Sequence, residues 1–214
     1  MPISASDETS ARVLVAAQEC FSRYGFRRTS MSDIASTAGF SRARVYQLYP
    51  SKEAIFRTLA SHLHASALER AEAALRLDVP FRARLVGAFQ GKLLGLLGVV
   101  EASPHAAEIL QTQARVAGDL TTSSLKRFTD LIAEALAEAA SRRDIDLTRV
   151  GLEPNECAEL MWLAAEGLKG GTGDVQKYAA RLEKLIDIFL AAMEPKLPAN
   201  FRAAGPRESR GGST

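Results

Sequence analysis

The sequence predicts an all-α protein, and three observations support that fold class. Ala, Leu, Glu and Arg, which favour helices, dominate the 214 residues. Apolar residues recur at helical spacing, and no segment keeps the two-residue alternation of a strand. Glycines and prolines divide the chain into segments of helical length. With 47% hydrophobic and 24% charged residues, the chain has enough apolar material for a core.

Four helices are predicted in the N-terminal part of the chain, at about 7–24, 30–38, 41–49 and 51–75. Ser30-x-x-Asp33 is a capping-box pattern at the start of the second helix. Gly39 follows that helix and is free to take the left-handed conformation that a tight turn needs. Ser51 caps the fourth helix, which at 1.5 Å per residue forms a rod of roughly 36 Å.

Five further helices are predicted, at about 81–100, 105–116, 118–141, 154–170 and 174–193. Pro154 suits the first turn of the eighth helix, and Asp174 caps the ninth. The apolar residues of these segments recur on one stripe, so each segment has a face to bury. Residues 195–214 are rich in proline and glycine, and we expect a disordered tail there.

Positive charge is concentrated at the two ends of the chain. Residues 1–64 carry eight Lys and Arg against five Asp and Glu, whereas residues 65–201 carry sixteen against nineteen. The segment 202–214 adds three basic residues against one acidic residue. A basic N-terminal segment is a modest indication of a polyanionic partner.

The sequence argues against a secreted or membrane protein. Cys20 and Cys157 lie far apart at apolar helical positions, which suits buried thiols in a reducing compartment. No basic and apolar leader opens the sequence, and the longest apolar run, 93–100, is far too short to span a membrane. We therefore expect a soluble, cytoplasmic protein without a membrane partner.

No enzymatic pattern is recognisable either. His62 and His64 are two positions apart on one helix, about 200° around its axis, so they do not share a metal ion. Glu134 and Glu138 belong to a charged stripe that is most simply a solvated face. We expect no enzyme, no metal and no cofactor.

The third helix has an outward face that suits DNA. On a helical wheel Val45, Leu48 and Tyr49 face inward, and the outward residues are Arg44, Tyr46, Gln47 and the small Ala43. Arg pairs with guanine and Gln with adenine in the major groove. A merely solvated helix face is the alternative, for which an exposed tyrosine is an unusual choice.

The segment 16–60 contains an ordered set of residues: Phe21, Gly25-Phe26, Thr29, Ile34-Ala35, Ala38-Gly39-Phe40-Ser41, Tyr46 and Tyr49-Pro50-Ser51-Lys52-Glu53. In this set the segment resembles the DNA-binding domain of the TetR family of bacterial regulators. The resemblance implies that bases are read by Arg42, Ala43, Arg44 and Gln47. It further implies that Thr29, Tyr46 and Lys52 hold phosphates. Phe40, Arg44 and Leu48 depart from the usual family residues, so the operator cannot be transferred from a relative.

The last two predicted helices are amphipathic, and the resemblance implies that they pair with a second copy in a four-helix interface. Their apolar stripes include Leu160, Met161, Ala164, Leu168, Leu182, Leu185, Ile186 and Phe189. The alternative is packing within one protomer, which must hold for part of each face.

A stripe of glycines, Gly87, Gly91, Gly95 and Gly98, marks the fifth helix. Close approach of a neighbouring helix explains it most simply. Alternatively, the missing side chains leave room for a small hydrophobic effector, in the part of the fold where the family tends to keep its pocket. Candidate lining residues are Phe89, Leu93, Leu110, Gln111, Phe128 and Trp162.

Together these features predict a DNA-binding domain at 1–52 and a ligand-binding and dimerisation domain at 53–194. The predicted function is a homodimeric repressor of transcription, released from a palindromic double-stranded DNA operator by a small-molecule effector. The alternative is a helical small-molecule-binding or enzymatic protein whose N-terminal domain no longer binds DNA.

Overall fold

The computed structural model describes residues 5–101, 103–168 and 174–195, with the backbone alone for 5–6 and 94–101. Every element of this part is helical, which confirms the predicted fold class. The helices are α1 (Ala5–Tyr24), α2 (Met31–Ala38), α3 (Arg42–Leu48), α4 (Lys52–Leu75), α5 (Phe81–Glu101), α6 (Ala106–Ser141), α7 (Pro154–Gly167) and α8 (Val175–Ala192), with a short 3₁₀ turn at Leu147–Arg149. The predicted tail at 195–214 falls almost wholly outside the described residues.

Short-range signals define the ends of the N-terminal helices as predicted. The Ser30 and Asp33 side chains each bind the other's backbone N–H, which closes the capping box of α2. Gly39 takes the left-handed conformation, with φ 72° and ψ 31°, and its N–H donates to the last turn of the helix. Ser41 and Ser51 cap α3 and α4 through their hydroxyls. A helix–turn–helix therefore spans residues 31–48.

Helix α6 replaces two of the nine predicted helices. The break expected at Gly118 is instead a kink at Ala117, whose φ of −139° and ψ of 23° are not helical. The Thr121 and Thr122 hydroxyls donate to the carbonyls of Ala117 and Gly118, which satisfies backbone groups at the kink. One irregular residue between two strong helical segments bends the helix without ending it.

Two hydrophobic cores lie along α4. The N-terminal core is centred on Phe21, Phe26 and Phe56, whose ring centroids lie 5.3–5.7 Å apart. The larger core is formed by α5 to α8 and includes Phe89 and Phe128. Helix α4 contributes to both cores, because Phe56 lies in the first and Ala71, further along the same helix, in the second. The long helix α4 thus connects an N-terminal head, formed by α1 to α3, to a helical body, formed by α5 to α8.

The glycine stripe of α5 is a packing seam where it is described. A Cβ atom at Gly91 would lie 3.0 Å from the Cβ of Arg70 and 3.1 Å from that residue's carbonyl carbon. At Gly87 it would lie 3.0 Å from the Cβ of Ala74. These two glycines therefore let α5 approach α4 closely, as the simpler interpretation predicts. The surroundings of Gly95 and Gly98 are outside the described side chains.

Three of the eight residues predicted for a dimer interface are instead in the core of the protomer. Met161, Leu182 and Ile186 are at most 1% exposed, because α8 packs its most apolar stripe against α5 and α7. That part of the prediction is corrected, since no exposed surface is left on these side chains for a partner. Leu160 is 45% exposed. Ala164, Leu168, Leu185 and Phe189 are half-buried.

None of the helices in the described ranges is both long enough and apolar enough to cross a membrane. Over the same residues, no group of three or more His, Cys, Asp or Glu side chains is placed to hold a metal ion.

Candidate DNA-binding surface

Helix α3 presents the outward face that the sequence predicts. Val45 is fully buried and Tyr49 is 8% exposed, and the Tyr49 hydroxyl lies 2.6 Å from Ser10 Oγ of α1. These contacts fix the rotation of α3 about its axis. The side chains that consequently face solvent are Arg42, Ala43, Arg44, Tyr46 and Gln47.

Two of these exposed side chains are coupled. The guanidinium of Arg44 donates to Gln47 Oε1 at 3.3 Å, one helical turn away. Each side chain therefore orients the other, and the pair presents donors and an amide on one surface. Because Ala43 is small, an approaching duplex meets little steric obstruction beside this pair.

A groove of about 420 Å³ borders α3 on the side of its C-terminus. Its lining comprises Arg27, Arg28, Thr29, Ser30, Met31, Tyr46, Pro50, Ser51, Lys52 and Glu53. The N-terminal ends of α2 and α4 meet here, and both direct backbone N–H groups and positive dipole ends toward the groove. Helix N-termini with nearby arginines form a surface that suits phosphate.

Sequence reasoning did not assign a role to Arg27 and Arg28. Both are exposed and line the groove, and Thr29 separates them from the Ser30 cap. The signal was present as an Arg-Arg pair that ends two positions before the first residue of a capping box, where a helix N-terminus adds to its attraction for anions.

Lys52 lies at the groove, but its ammonium group holds the protein's own backbone. Its Nζ donates to the carbonyls of Phe26 at 2.8 Å, Thr29 at 2.9 Å and Arg27 at 3.2 Å. An ammonium has three donors, so these three carbonyls match its capacity. The same group lies 4.6 Å from the centroid of the Phe26 ring. In this structure the ammonium of Lys52 therefore has a structural role, and the phosphate contact that the resemblance implies for it stays a prediction.

Thr29 likewise faces inward. Its side chain is 1% exposed, and its hydroxyl is directed at the carbonyls of Gly25, 2.7 Å away, and Cys20, 3.2 Å away. A hydroxyl closed off in this way stabilises the turn between α1 and α2 and is not available to an external phosphate. Of the three residues that the resemblance assigns to phosphates, Tyr46 is the exposed one, at 45%.

The role of Lys52 can be tested by Lys52→Met, which keeps the apolar stem and removes the ammonium. We expect the free energy of unfolding to fall by about 1–3 kcal/mol, because three carbonyls lose a charged donor. Urea denaturation followed by circular dichroism measures this. Lys126→Met, at an exposed surface pair with Asp130, is the control and is expected to stay within about 0.5 kcal/mol of the parent. A fully stable Lys52→Met protein would favour the phosphate assignment.

The head is joined to the N-terminal half of α6 by several polar contacts. The backbone N–H of Arg27 donates to Glu108 Oε1 at 2.5 Å, and Arg57 binds both carboxylate oxygens of Asp119, at 2.7 and 2.5 Å. The hydrogen bond from Arg57 lowers the pKa of Asp119 to about 2. Glu108 of α6 thus contacts the backbone of Arg27, a residue that also lines the groove.

The body residues predicted to line a pocket divide into two groups. Phe89, Leu93 and Phe128 are at most 1% exposed. The Phe128 ring lies 5.1 Å from Phe89 and 5.4 Å from Trp162, both edge to face. Leu110, 54% exposed, and Gln111 face solvent instead. Their assignment to an interior pocket is corrected, because this part of α6 directs its opposite face at the head.

A helix–turn–helix with an exposed, partly cationic second helix, set on a helical body, defines the class of DNA-binding transcriptional regulators. Residues 13–59 match the family model described as bacterial regulatory proteins of the tetR family. Residues 13–59 therefore carry a DNA-binding domain of the TetR family.

Individual proteins resemble this chain in the sequence of its N-terminal segment and in its fold. A 53-residue segment is 42% identical to YfiR of Bacillus subtilis, an uncharacterised HTH-type transcriptional regulator, and covers 25% of this chain and 26% of YfiR. The match thus spans about a quarter of that relative. A regulator from Cytophaga hutchinsonii has the same fold, with a TM-score of 0.71, 18% identity and coverage of 86% and 97% of the two chains. SmeT, a repressor from Stenotrophomonas maltophilia, aligns with a TM-score of 0.64 and 18% identity over 92% and 96%.

Proposed function

We propose that this protein is a sequence-specific repressor of transcription that binds double-stranded DNA as a homodimer and responds to a small-molecule effector. The observation that carries the proposal is the exposed face of α3, where two arginines, a glutamine and a small residue stand beside a cationic groove. Arg42, Ala43, Arg44 and Gln47 read base edges in this proposal.

The exposed face of α3 and the groove have different roles in this proposal because their chemistry differs. Arginine is suited to guanine and glutamine to adenine in the major groove. Arg27, Arg28 and Tyr46, together with the N-terminal ends of α2 and α4, bind the flanking phosphates. Phosphate contacts fix the position of the protein on the duplex, whereas the α3 side chains select the sequence.

A second copy of the chain is proposed to cover the outer face of α7 and α8. Leu163 and Ile188 are 64% and 66% exposed, and Leu160 is 45% exposed. Ala164, Leu168, Leu185 and Phe189 flank these residues on the same faces. An apolar strip of this kind on a soluble protein is a typical mark of an interface. Two-fold pairing would place the two α3 helices on half-sites of a palindrome about one turn, roughly 34–36 Å, or slightly more apart.

The effector is proposed to bind inside the body and to act through α6. SmeT, which shares the fold, has been solved in complex with triclosan. Glu108 and Asp119 of α6 contact Arg27 and Arg57 of the DNA-binding side. A ligand that fits only one arrangement of α6 would therefore change the affinity for DNA, and DNA would change the affinity for the ligand by the same factor.

Selection of bound duplexes from a random pool, followed by fluorescence anisotropy, tests the DNA-binding proposal. We expect a near-palindromic site. Arg42→Ala and Arg44→Ala should each weaken binding to this site by about 1–3 kcal/mol and relax the preference at one base pair. Arg76→Ala is the matched control, because that side chain is 79% exposed at the far end of α4.

A pool that yields no preferred sequence would contradict the proposal and favour the alternative, a helical binding or enzymatic protein whose head does not bind DNA. Equal losses of affinity on all sequences for both arginine variants would instead reassign Arg42 and Arg44 to phosphates.

A further inference from the structure

A side chain of α1 contacts the turn that joins α2 to α3. The guanidinium of Arg12 donates to the carbonyl of Ala38, the last residue of α2, at 3.0 Å. The same guanidinium lies 4.5 Å from the centroid of the Phe40 ring. Gly39 lies between these two residues, and a Cβ atom there would be 3.4 Å from a nitrogen of the guanidinium. Arg12 therefore spans the whole turn, residues 38–40.

Phe40 is the residue at which this turn departs from the usual family residue, and Arg12 supplies a physical reason. An aromatic face attracts a guanidinium, whereas an aliphatic side chain offers no comparable attraction. Phe40 is half-buried and packs against the N-terminal core, so that core fixes the position of the ring. Ser41, the N-cap of α3, follows directly. Arg12 thus connects α1 to the point at which α3 begins.

Helix α1 also contacts the other end of α3. Tyr49 is the C-cap of α3, and its hydroxyl lies 2.6 Å from Ser10 Oγ. A short helix attached at one end can still tilt about that attachment, whereas contacts at both ends fix its direction. Val45, fully buried in the middle of α3, sets the depth at which the helix lies. Arg12 and Ser10 together therefore determine the tilt of α3 relative to the rest of the head.

We propose that Arg12 is a positioning residue for sequence reading, which holds the turn at residues 38–40 and thereby the tilt of α3 without contacting DNA itself. This inference rests on the proposed function and deepens it, because it assigns part of the specificity to a residue outside α3. Side chains on α3 read several base pairs only if all of them reach hydrogen-bonding distance together. The attraction between a cationic groove and phosphates is electrostatic and independent of sequence. Loss of the Arg12 contacts should therefore reduce specificity more than the general affinity for DNA.

Arg12→Met tests the inference, because methionine keeps an unbranched apolar side chain and removes the guanidinium. Fluorescence anisotropy compares the full-length protein on the duplex selected from the random pool and on a scrambled duplex of the same composition. We expect the ratio of the two affinities to fall about tenfold, as for the loss of about one base-pair contact. The salt dependence of binding should stay that of the parent. Arg23→Met is the matched control, because it removes the same charge from the last turn of α1 and should keep the parent ratio.

A second measurement needs no DNA. In hydrogen–deuterium exchange of the free protein, Arg12→Met should raise the exchange rate of the amides in residues 39–49 about threefold or more and leave α5 to α8 unchanged. Phe40→Leu removes the ring face and keeps an apolar side chain, and it provides the same test if Arg12→Met does not fold. The double variant should exchange no faster than the more affected single variant, because the two residues share one interaction.

Three results contradict a positioning role. Equal losses on both duplexes, with a salt slope lower by about one, would show that the Arg12 guanidinium binds a phosphate. A lower thermal stability with the parent affinity ratio would show that Arg12 only stabilises the head. Parent values of the ratio and of the exchange rates would show that its contacts with the turn have no effect. A pool without a preferred duplex contradicts the proposed function instead, and the exchange rates of residues 39–49 then decide whether Arg12 holds the turn.

Discussion

The Leu182→Glu variant is expected to lose the folded helical body. Leu182 is fully buried where α8 packs against α5, so the new carboxylate would have to be desolvated in an apolar core. The cost of an unpaired buried charge is about 3–5 kcal/mol, to which the loss of leucine packing adds. A domain stable by about 5–15 kcal/mol has little margin for this change. Circular dichroism and thermal denaturation measure the result.

Lys184→Glu provides the control, because Lys184 is exposed on the same helix and the change introduces the same side chain. We expect its free energy of unfolding to lie within about 0.5 kcal/mol of that of the parent protein. A Leu182→Glu protein with the melting temperature of the parent would show that the side of α8 assigned to the core is not enclosed in the protomer.

The Ile188→Glu variant is expected to remain folded and to become monomeric. Ile188 is 66% exposed in the protomer, so glutamate there is hydrated when the chain is alone. In the proposed interface the same carboxylate would be buried against a second copy. Because two linked heads gain from effective concentration, loss of the dimer should weaken binding to a palindromic site on the order of 10²-fold or more. Light scattering and fluorescence anisotropy give the two readouts.

Leu77→Glu is the matched control for this variant. Leu77 is 58% exposed in the connection after α4 and belongs to neither α7 nor α8, so its replacement should leave the dimer and its DNA affinity unchanged. If Ile188→Glu stays dimeric and binds DNA like the parent, the outer face of α7 and α8 is not the interface.

The two substitutions differ by six positions on one helix, yet different outcomes are expected. Both positions are apolar, but Ile188 lies about 240° around the helix axis from Leu182, outside the apolar stripe predicted for this helix. The packing of α8 against α5 then decides that the protomer encloses the stripe of Leu182 and leaves Ile188 exposed. Sequence periodicity identifies that a face is buried but carries no information about which surface covers it.

The outward face of α3 and the groove beside it could be predicted from the sequence to different degrees. The outward face of α3 follows from helix geometry, because Val45 and Tyr49 are the residues that must be buried. The roles of Lys52 and Thr29 did not follow, although the resemblance covered both. Lys52 reaches carbonyls of residues 26, 27 and 29, which folding alone brings around its ammonium.

In the helical body, too, the sequence did not predict which residues are enclosed by other helices. Six residues were predicted to line a pocket, but Leu110 and Gln111 lie on a solvent-facing side of α6, while Phe89 and Phe128 are in contact inside the core. Lys92 and His64 are also buried in the body, which the sequence did not predict. A single lysine or histidine within a helix carries no local mark of burial, and its environment depends on three helices distant in sequence.

The sequence by itself determined the all-α class, the helix ends at Ser30, Gly39 and Ser51, and the outward face of α3. The helix ends depend on interactions within about four residues, which the order of amino acids specifies directly. The outward face of α3 follows from the helical spacing of its apolar residues. The tertiary structure alone decided that Leu182 is enclosed by its own protomer and that the Lys52 ammonium holds backbone carbonyls. These outcomes depend on which surfaces meet, and competition among several apolar faces is resolved only by the packing of the whole chain.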